Sequence, residues 1–267
     1  MLKESSYLHR IYKGIIDKLP ALTFLIILII IWQYSVIIFQ IPHWLLPSPQ
    51  QVIEALWNTK ALIWEHSQFT LLETTLGFLL AIILGIIVSS VMTIYPLFKK
   101  TFYPFVLISQ TVPIIAVAPL LLLWLGYGLL PKIIIVVLVC FFPVAISLIE
   151  GLELSDTDLL NLLKSMGATK WQIFYHVRWP NSLPSLFAGL KIAATYSVMA
   201  AVIGEWLGAS KGLGVYLTRS SNNFLTDRVF AAIIAITALS LIYFSLITLL
   251  TRLLIPWNTN SNFRNNQ

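Results

Sequence analysis

With 267 residues, 58% of them hydrophobic and only 10% charged, and a mean hydropathy of +0.86, the chain lies far outside the composition of a water-soluble domain. The formal net charge of +6 comes from Lys and Arg in the short polar connections, so it orients apolar segments instead of marking a nucleic-acid surface. The single cysteine, Cys140, excludes an intrachain disulfide and a thiolate cluster, and His9, His43, His66 and His176 have no metal-ligand spacing.

The chain opens on SSYLHRIYKGIIDKL, where Leu8, Ile11, Tyr12, Ile15, Ile16 and Leu19 recur at helical spacing among cations. Residues 1–19 therefore read as an amphipathic helix lying on the membrane surface. Windows long enough to cross the bilayer follow near 20–40, 68–94, 101–126, 131–150, 183–207 and 229–253. The first is as long as a full span and no A-x-A site follows it, so it reads as a retained helix. These are continuous apolar runs and not alternating ten-residue strands, which argues against a barrel. The expected fold is all-α and polytopic, with about six transmembrane helices. A transmembrane domain fills 20–257, contains a loop at 151–182, and is followed by a polar tail at 258–267.

Lys99, Lys100, Lys164, Lys170, Arg178 and Arg252 fall on the same side as the basic N-terminal segment, so both termini and the 151–182 loop are expected in the cytoplasm. Segments 41–67 and 208–228 are then outside. Span three carries Gln110, Thr111, Pro113 and Pro119, and span five carries Thr195, Tyr196 and Ser197. Polar residues and helix breakers at membrane depth pack on protein or line a cavity, so these two spans are candidates for a translocation pathway. The bland reading of the same hydroxyls is interhelical hydrogen bonding. Lys191 is expected to snorkel. Glu205, at the outer end of span five, suggests a vestibule or a partner contact, and Glu73 reads as interfacial.

The loop LLNLLKSMGATKWQIFYHVRWPNSLP, residues 159–184, interrupts this lipid-like sequence with three cations, a glycine and two prolines. Ser155 is the expected cap of a first helix whose Leu159, Leu162, Leu163 and Met166 form an apolar stripe. Gly167 stops it, and Thr169 with Gln172 makes a capping-box pattern opening a second short helix with Trp171, Phe174 and Tyr175 on one face, ended by Pro180. A mere connection would be short and polar. Anchoring of the aromatic side chains at the headgroup level is the alternative.

This segment resembles the cytoplasmic signature loop of binding-protein-dependent ABC importer permeases, with N161-L162-L163-K164-S165-M166-G167 and then W179-P180 in the places of the motif. LLPSPQQV, TLLETTLGFLLAIILGI, TVPIIAVAPLLLLWLGYG and LKIAATYSVMAAVIGEWLGASKGLG extend the similarity over most of the chain, to the nitrate, sulfonate, taurine and thiamine-pyrimidine-precursor branch. The resemblance implies a type I ABC importer permease fold in a bacterial plasma membrane. It also implies a homodimer, a cytoplasmic ABC ATPase dimer that uses ATP and Mg, and an extracytoplasmic substrate-binding protein. Membrane lipids are a further partner, and nucleic acid is not. On this reading Asn161, Gly167, Ala168, Thr169, Trp171, Phe174 and Tyr175 form the ATPase-coupling loop, with Asn161 standing where the motif has glutamate.

GASKGLG lacks the order of a phosphate-cradling loop, and no catalytic constellation is present, so this chain is expected to bind no cofactor and to be no enzyme. The outer segment GEWLGASKGLGVYLTRS with FLTDRVFAA looks most like permeases for a hydroxymethylpyrimidine-type thiamine precursor, with sulfonate, taurine or nitrate as alternatives. A secondary transporter or channel is the rival class. It would show related halves or intramembrane charge pairs, and neither is visible in the sequence.

Overall fold

The computed structural model describes residues 19–256. The surface helix expected over 1–19, except for its last residue, and the tail at 258–267 lie outside the described residues. Among those described, helices are the only regular elements.

The described chain forms two compact units. One comprises the chain up to Lys60 together with Arg219–Ala231, and the other Ala61–Thr218 with the chain from Ala232. In the first unit, α1 (Leu19–Ile38) exposes nearly all of its side chains, as a helix that is apolar all round does when lipid is its solvent. The PSPQQ stretch starts α2 (Pro49–Asn58). Ser48 caps it in a complete capping box with Gln51, and Pro49 occupies the first turn, where a missing N–H costs nothing. Trp32 lies 5.4 Å from Phe230, and Thr226 Oγ1 donates to the carbonyl of Trp44 at 2.5 Å.

The second unit holds most of α3 (Lys60–Ile94), then α4 (Pro96–Ser109), α5 (Ile114–Leu125), α6 (Leu129–Glu153), α7 (Thr157–Ser165) and α8 (Lys170–Ile173). A π-helical turn, Phe174–Arg178, follows and leads into α9 (Trp179–Trp206). The start of α10 (Leu213–Asn222) and most of α11 (Thr226–Leu254) complete it. Its centre is α6 against α9. Ala193, Ala194, Ser197, Ala200 and Ala201 are buried on α9, and small side chains let two backbones approach where lipid offers no hydrophobic drive for association. A Cβ at Gly189 would sit 2.5 Å from the carbonyl oxygen of Pro143, and one at Gly85 2.7 Å from a methyl of Val144, so α6 is gripped from both sides at closest approach. Ser89 Oγ donates to the carbonyl of Ala145 at 2.9 Å, and Cys140 Sγ to that of Ala193 at 3.4 Å.

Five helices are long and apolar enough to cross a membrane, and a sixth crossing exists only if α4 and α5 are taken together. That pair is bent by 100°, so the continuous third span expected over 101–126 is corrected to two half-length helices. At 1.5 Å per residue each half reaches roughly 20 Å, short of a ~30 Å core. Pro113, which has no N–H and drives Val112 out of the helical region, is the local cause.

The fifth span is corrected in the opposite sense. Pro180 does not end a separate short helix, because helical geometry runs unbroken from Lys170 to Trp206. The π-helical turn makes this possible. Trp179 N–H donates to the carbonyl of Phe174, five residues back, so the ladder has already widened when Pro180 removes its donor.

Candidate coupling segment and translocation cavity

α7 is capped by Asp156, whose carboxylate accepts from the N–H of Asp158 at 2.9 Å. The cap is thus one residue later than the expected Ser155, which is buried. Its other end closes in a Schellman turn. Gly167, at φ +83°, donates to the carbonyl of Lys164, and Ala168 donates to that of Leu163, both at 3.0 Å. Thr169 then starts α8 with both bonds of a capping box, Gln172 N–H to Thr169 Oγ1 at 3.3 Å and Thr169 N–H to Gln172 Oε1 at 2.8 Å. The turn from α7 to α8 is therefore hydrogen-bonded at both ends, with Gly167 at its apex.

The face directed into the protein is Leu160, Ile173 and Val177, with Leu163 and Ala168 packed against them. The stripe expected from the sequence is only partly inward. Leu162 is 58% exposed, Met166 74%, Trp171 52% and Tyr175 61%, making an outward apolar row. Phe174, expected on the exposed aromatic face, is buried with its ring 6.1 Å from that of Trp179, while Trp171 and Tyr175 stack on each other at 6.2 Å. Asn161 is exposed, and its carbonyl accepts from Ser165 Oγ at 3.0 Å.

At the break between α4 and α5, a cavity of about 600 Å³ is lined by Gln110 and Thr111 from the break and by Phe142, Tyr196 and Met199 from α6 and α9. None of its lining residues is charged. Of the expected pathway residues, Gln110, Thr111 and Tyr196 come together here. Thr195 lies on the same exposed face of α9 as Tyr196, and its hydroxyl donates to the carbonyl of Lys191 at 3.1 Å. Ser197 is buried on the opposite side and donates to the carbonyl of Ala194 at 2.8 Å. Glu205 lies away from the cavity.

A family model described as binding-protein-dependent transport system inner membrane component matches residues 76–256, which include the broken span, the α7–α8 turn and α9. The chain belongs to the permease subunits of binding-protein-dependent ABC importers. It is 37% identical over 227 residues to a probable ABC transporter permease protein of Haemophilus influenzae, covering 85% of this chain and 93% of that one. It is 38% identical over 239 residues to the formylaminopyrimidine transport permease protein ThiX of Halalkalibacterium halodurans, covering 89% and 95%. It is 30% identical over 242 residues to the taurine transport system permease protein TauC of Escherichia coli, covering 88% of each. The permease is therefore a multi-pass membrane transport subunit, not itself an enzyme, and its family implies ATPase and binding-protein partners.

The sequence missed one polar centre of the permease. Glu73, expected at the interface, is only 2% exposed and receives Lys132 Nζ at 2.6 Å, so an intramembrane charge pair exists where none was expected. Beside it Glu205, 1% exposed, accepts from Thr70 Oγ1 and from the N–H of Gly214, each at 2.6 Å. Leu213 N–H donates to Thr70 Oγ1 at 2.9 Å and Gly212 N–H to His66 Nδ1 at 3.0 Å. Side chains of α3 and α9 thus satisfy three successive N–H groups at the start of α10, which are buried in the protein away from water. A signal was available: His66, Thr70, Glu73 and Gly77 recur at i, i+4, i+7 and i+11, one polar stripe on an apolar helix.

Lys132→Met should destabilise the purified permease by about 3 to 5 kcal/mol, because it strands a buried carboxylate whose other oxygen already lacks a partner. Adding Glu73→Gln should restore part of that loss. Thermal unfolding of both variants in detergent checks the pair, and equal midpoints for the single and double variants would refute it.

Proposed function

We propose that two copies of the permease pair across the exposed face of α9, each contributing one cavity to a shared pathway and docking its 151–182 segment on a cytoplasmic ATPase. The observation that carries the docking is the outward apolar row of Leu162, Met166, Trp171 and Tyr175. It is held by capped helices over a small core, not left on a mobile linker. Pairing is supported by Ile192, Tyr196 and Met199, exposed at i, i+4 and i+7 on the helix that is otherwise the most enclosed. The uncharged cavity and the likeness to the formylaminopyrimidine permease favour a neutral pyrimidine precursor of thiamine over sulfonate, taurine or nitrate, delivered by an extracytoplasmic binding protein. Both termini face the cytoplasm on this reading.

Uptake of labelled formylaminopyrimidine, hydroxymethylpyrimidine, taurine and nitrate by cells expressing the whole importer ranks the solutes directly. Saturable uptake of either pyrimidine, lost when this gene is deleted, is the expected result, and uptake of taurine or nitrate alone would reject the pyrimidine. One permease copy per two ATPases in the purified complex, with no related second permease, would reject the pairing. For topology, single cysteines in a Cys140→Ala background should react with an impermeant reagent at Asn58 and Ser210 and be spared at Ser165. The reverse pattern would invert the permease and remove the coupling assignment.

A further inference from the structure

We infer that a basic pocket beneath the coupling segment binds the phosphate of an anionic phospholipid headgroup. The pocket, about 230 Å³, lies between the end of α3, the start of α4 and the α7–α8 turn, and Lys164, Lys170 and Arg178 all line it, with no carboxylate among the lining residues. Nothing in the solute assignment bears on it.

Three observations carry the inference. First, the cations are uncompensated. Lys99, Lys132 and Lys211 each hold a glutamate, whereas Lys164, Lys170 and Arg178 form no ion pair among the described residues. Gathering three like charges at the margin of a low-dielectric slab is unfavourable unless an anion joins them. Second, Arg178 has unused capacity. Its Nη1 makes one long bond, 3.5 Å, to the carbonyl of Thr93, and its Nε is buried with no partner. A guanidinium with donors to spare is a strong partner for phosphate oxygens. Third, the remaining wall is apolar. Ile94 ends the membrane-spanning helix α3, and Pro96 at the start of α4 and Phe174 in the π-helical turn line the pocket with it, where the glycerol and first methylenes of a lipid would follow its phosphate. The volume falls below the usual range for drug-sized ligands, a size that suits a small phosphoglycerol group. Basic pockets between transmembrane helices on the cytoplasmic side bind acidic headgroups for these reasons. A lipid seated here would tie the root of the coupling segment to the end of α3.

The test uses the complete importer, stripped of lipid in detergent and titrated with phosphatidylglycerol or phosphatidylcholine under native mass spectrometry. The wild-type complex should retain phosphatidylglycerol preferentially. Each cation removed should weaken that retention about fivefold, so the loss should reach roughly 25-fold for Lys164→Gln with Lys170→Gln and on the order of 100-fold when Arg178→Gln is added. Arg178 also bonds to the end of α3. The paired lysine variant, whose side chains are exposed and make no hydrogen bond among the described residues, therefore carries the test if the triple variant does not fold. Equal retention of the two lipids by the wild type, or unchanged phosphatidylglycerol retention by the lysine pair, overturns the inference. Inorganic phosphate separates the two sources of the same chemistry. It should displace little lipid, and complete displacement at equal concentration would assign the pocket to a free anion and overturn the lipid reading.

Discussion

Gly167→Val should leave the permease inserted and paired while reducing uptake to background and lowering the amount of ATPase that copurifies at least tenfold. At φ +83° a β-branched residue carries a penalty of about 1 to 2 kcal/mol, and no atom lies within 4 Å of where its Cβ would stand, so strain and not collision is the whole effect. Relief comes by opening the Schellman turn, which releases the Gly167 and Ala168 hydrogen bonds and re-aims α8 relative to α7. The small core of Leu160, Ile173 and Val177 is where the two helices meet, so the exposed row on α7 and α8 loses its shape while the α6–α9 centre is untouched. Trp171→Ala should act in the same direction more mildly, by removing one side of the Trp171–Tyr175 stack. Membrane abundance, ATPase copurification and solute-stimulated ATP hydrolysis are measured on the same preparations. Full copurification with full stimulation in Gly167→Val would end the coupling assignment and support anchoring at the headgroups.

Gly212→Val should instead prevent accumulation of folded permease. This glycine also has positive φ, +130°, but a Cβ there would lie 2.2 Å from the carboxyl carbon of Glu205. The carboxylate would have to leave, and with it the acceptor of Thr70 and Gly214, inside a membrane-spanning helix bundle. Backbone strain and two or three buried groups left unsatisfied together come to about 4 kcal/mol or more, a large share of the stability of an ordinary domain. Gly126→Ala is the matched control. Its φ of +76° with ψ −178° is also a conformation all but reserved for glycine, but nothing lies within 4 Å of its Cβ position, so it should cost only the backbone strain, about 1 to 3 kcal/mol. Detergent-extracted abundance and the thermal midpoint of each variant are the measurements, and a Gly212→Val protein as abundant and stable as Gly126→Ala would show that the Glu205 cluster does not hold the start of α10.

Class, the five long spans and the helix–glycine–helix form of the α7–α8 segment were legible in the sequence because they rest on local quantities. Apolar length sets a span, charge asymmetry suggests its orientation, and the Gly167 stop and the Thr169–Gln172 box are written within six consecutive residues. Gln110, Thr111 and Pro113 stood out as polar residues and a helix breaker in span three, but the span was expected to be continuous and only the structure shows its 100° break. Tertiary structure alone decided what lay across the chain. Glu73 and Lys132 are 59 residues apart, and Thr70 and Glu205 135 apart, so nothing local shows that they meet and remove each other's need for water. Which face of α7 turns inward, that Phe174 is buried while Tyr175 is not, and that Lys164, Lys170 and Arg178 converge on one pocket all depend on how α7 and α8 seat against the end of α3. In lipid, hydropathy marks what enters the membrane but assigns no helix a neighbour. That choice is made by small residues at close approach and by polar groups that must find one another.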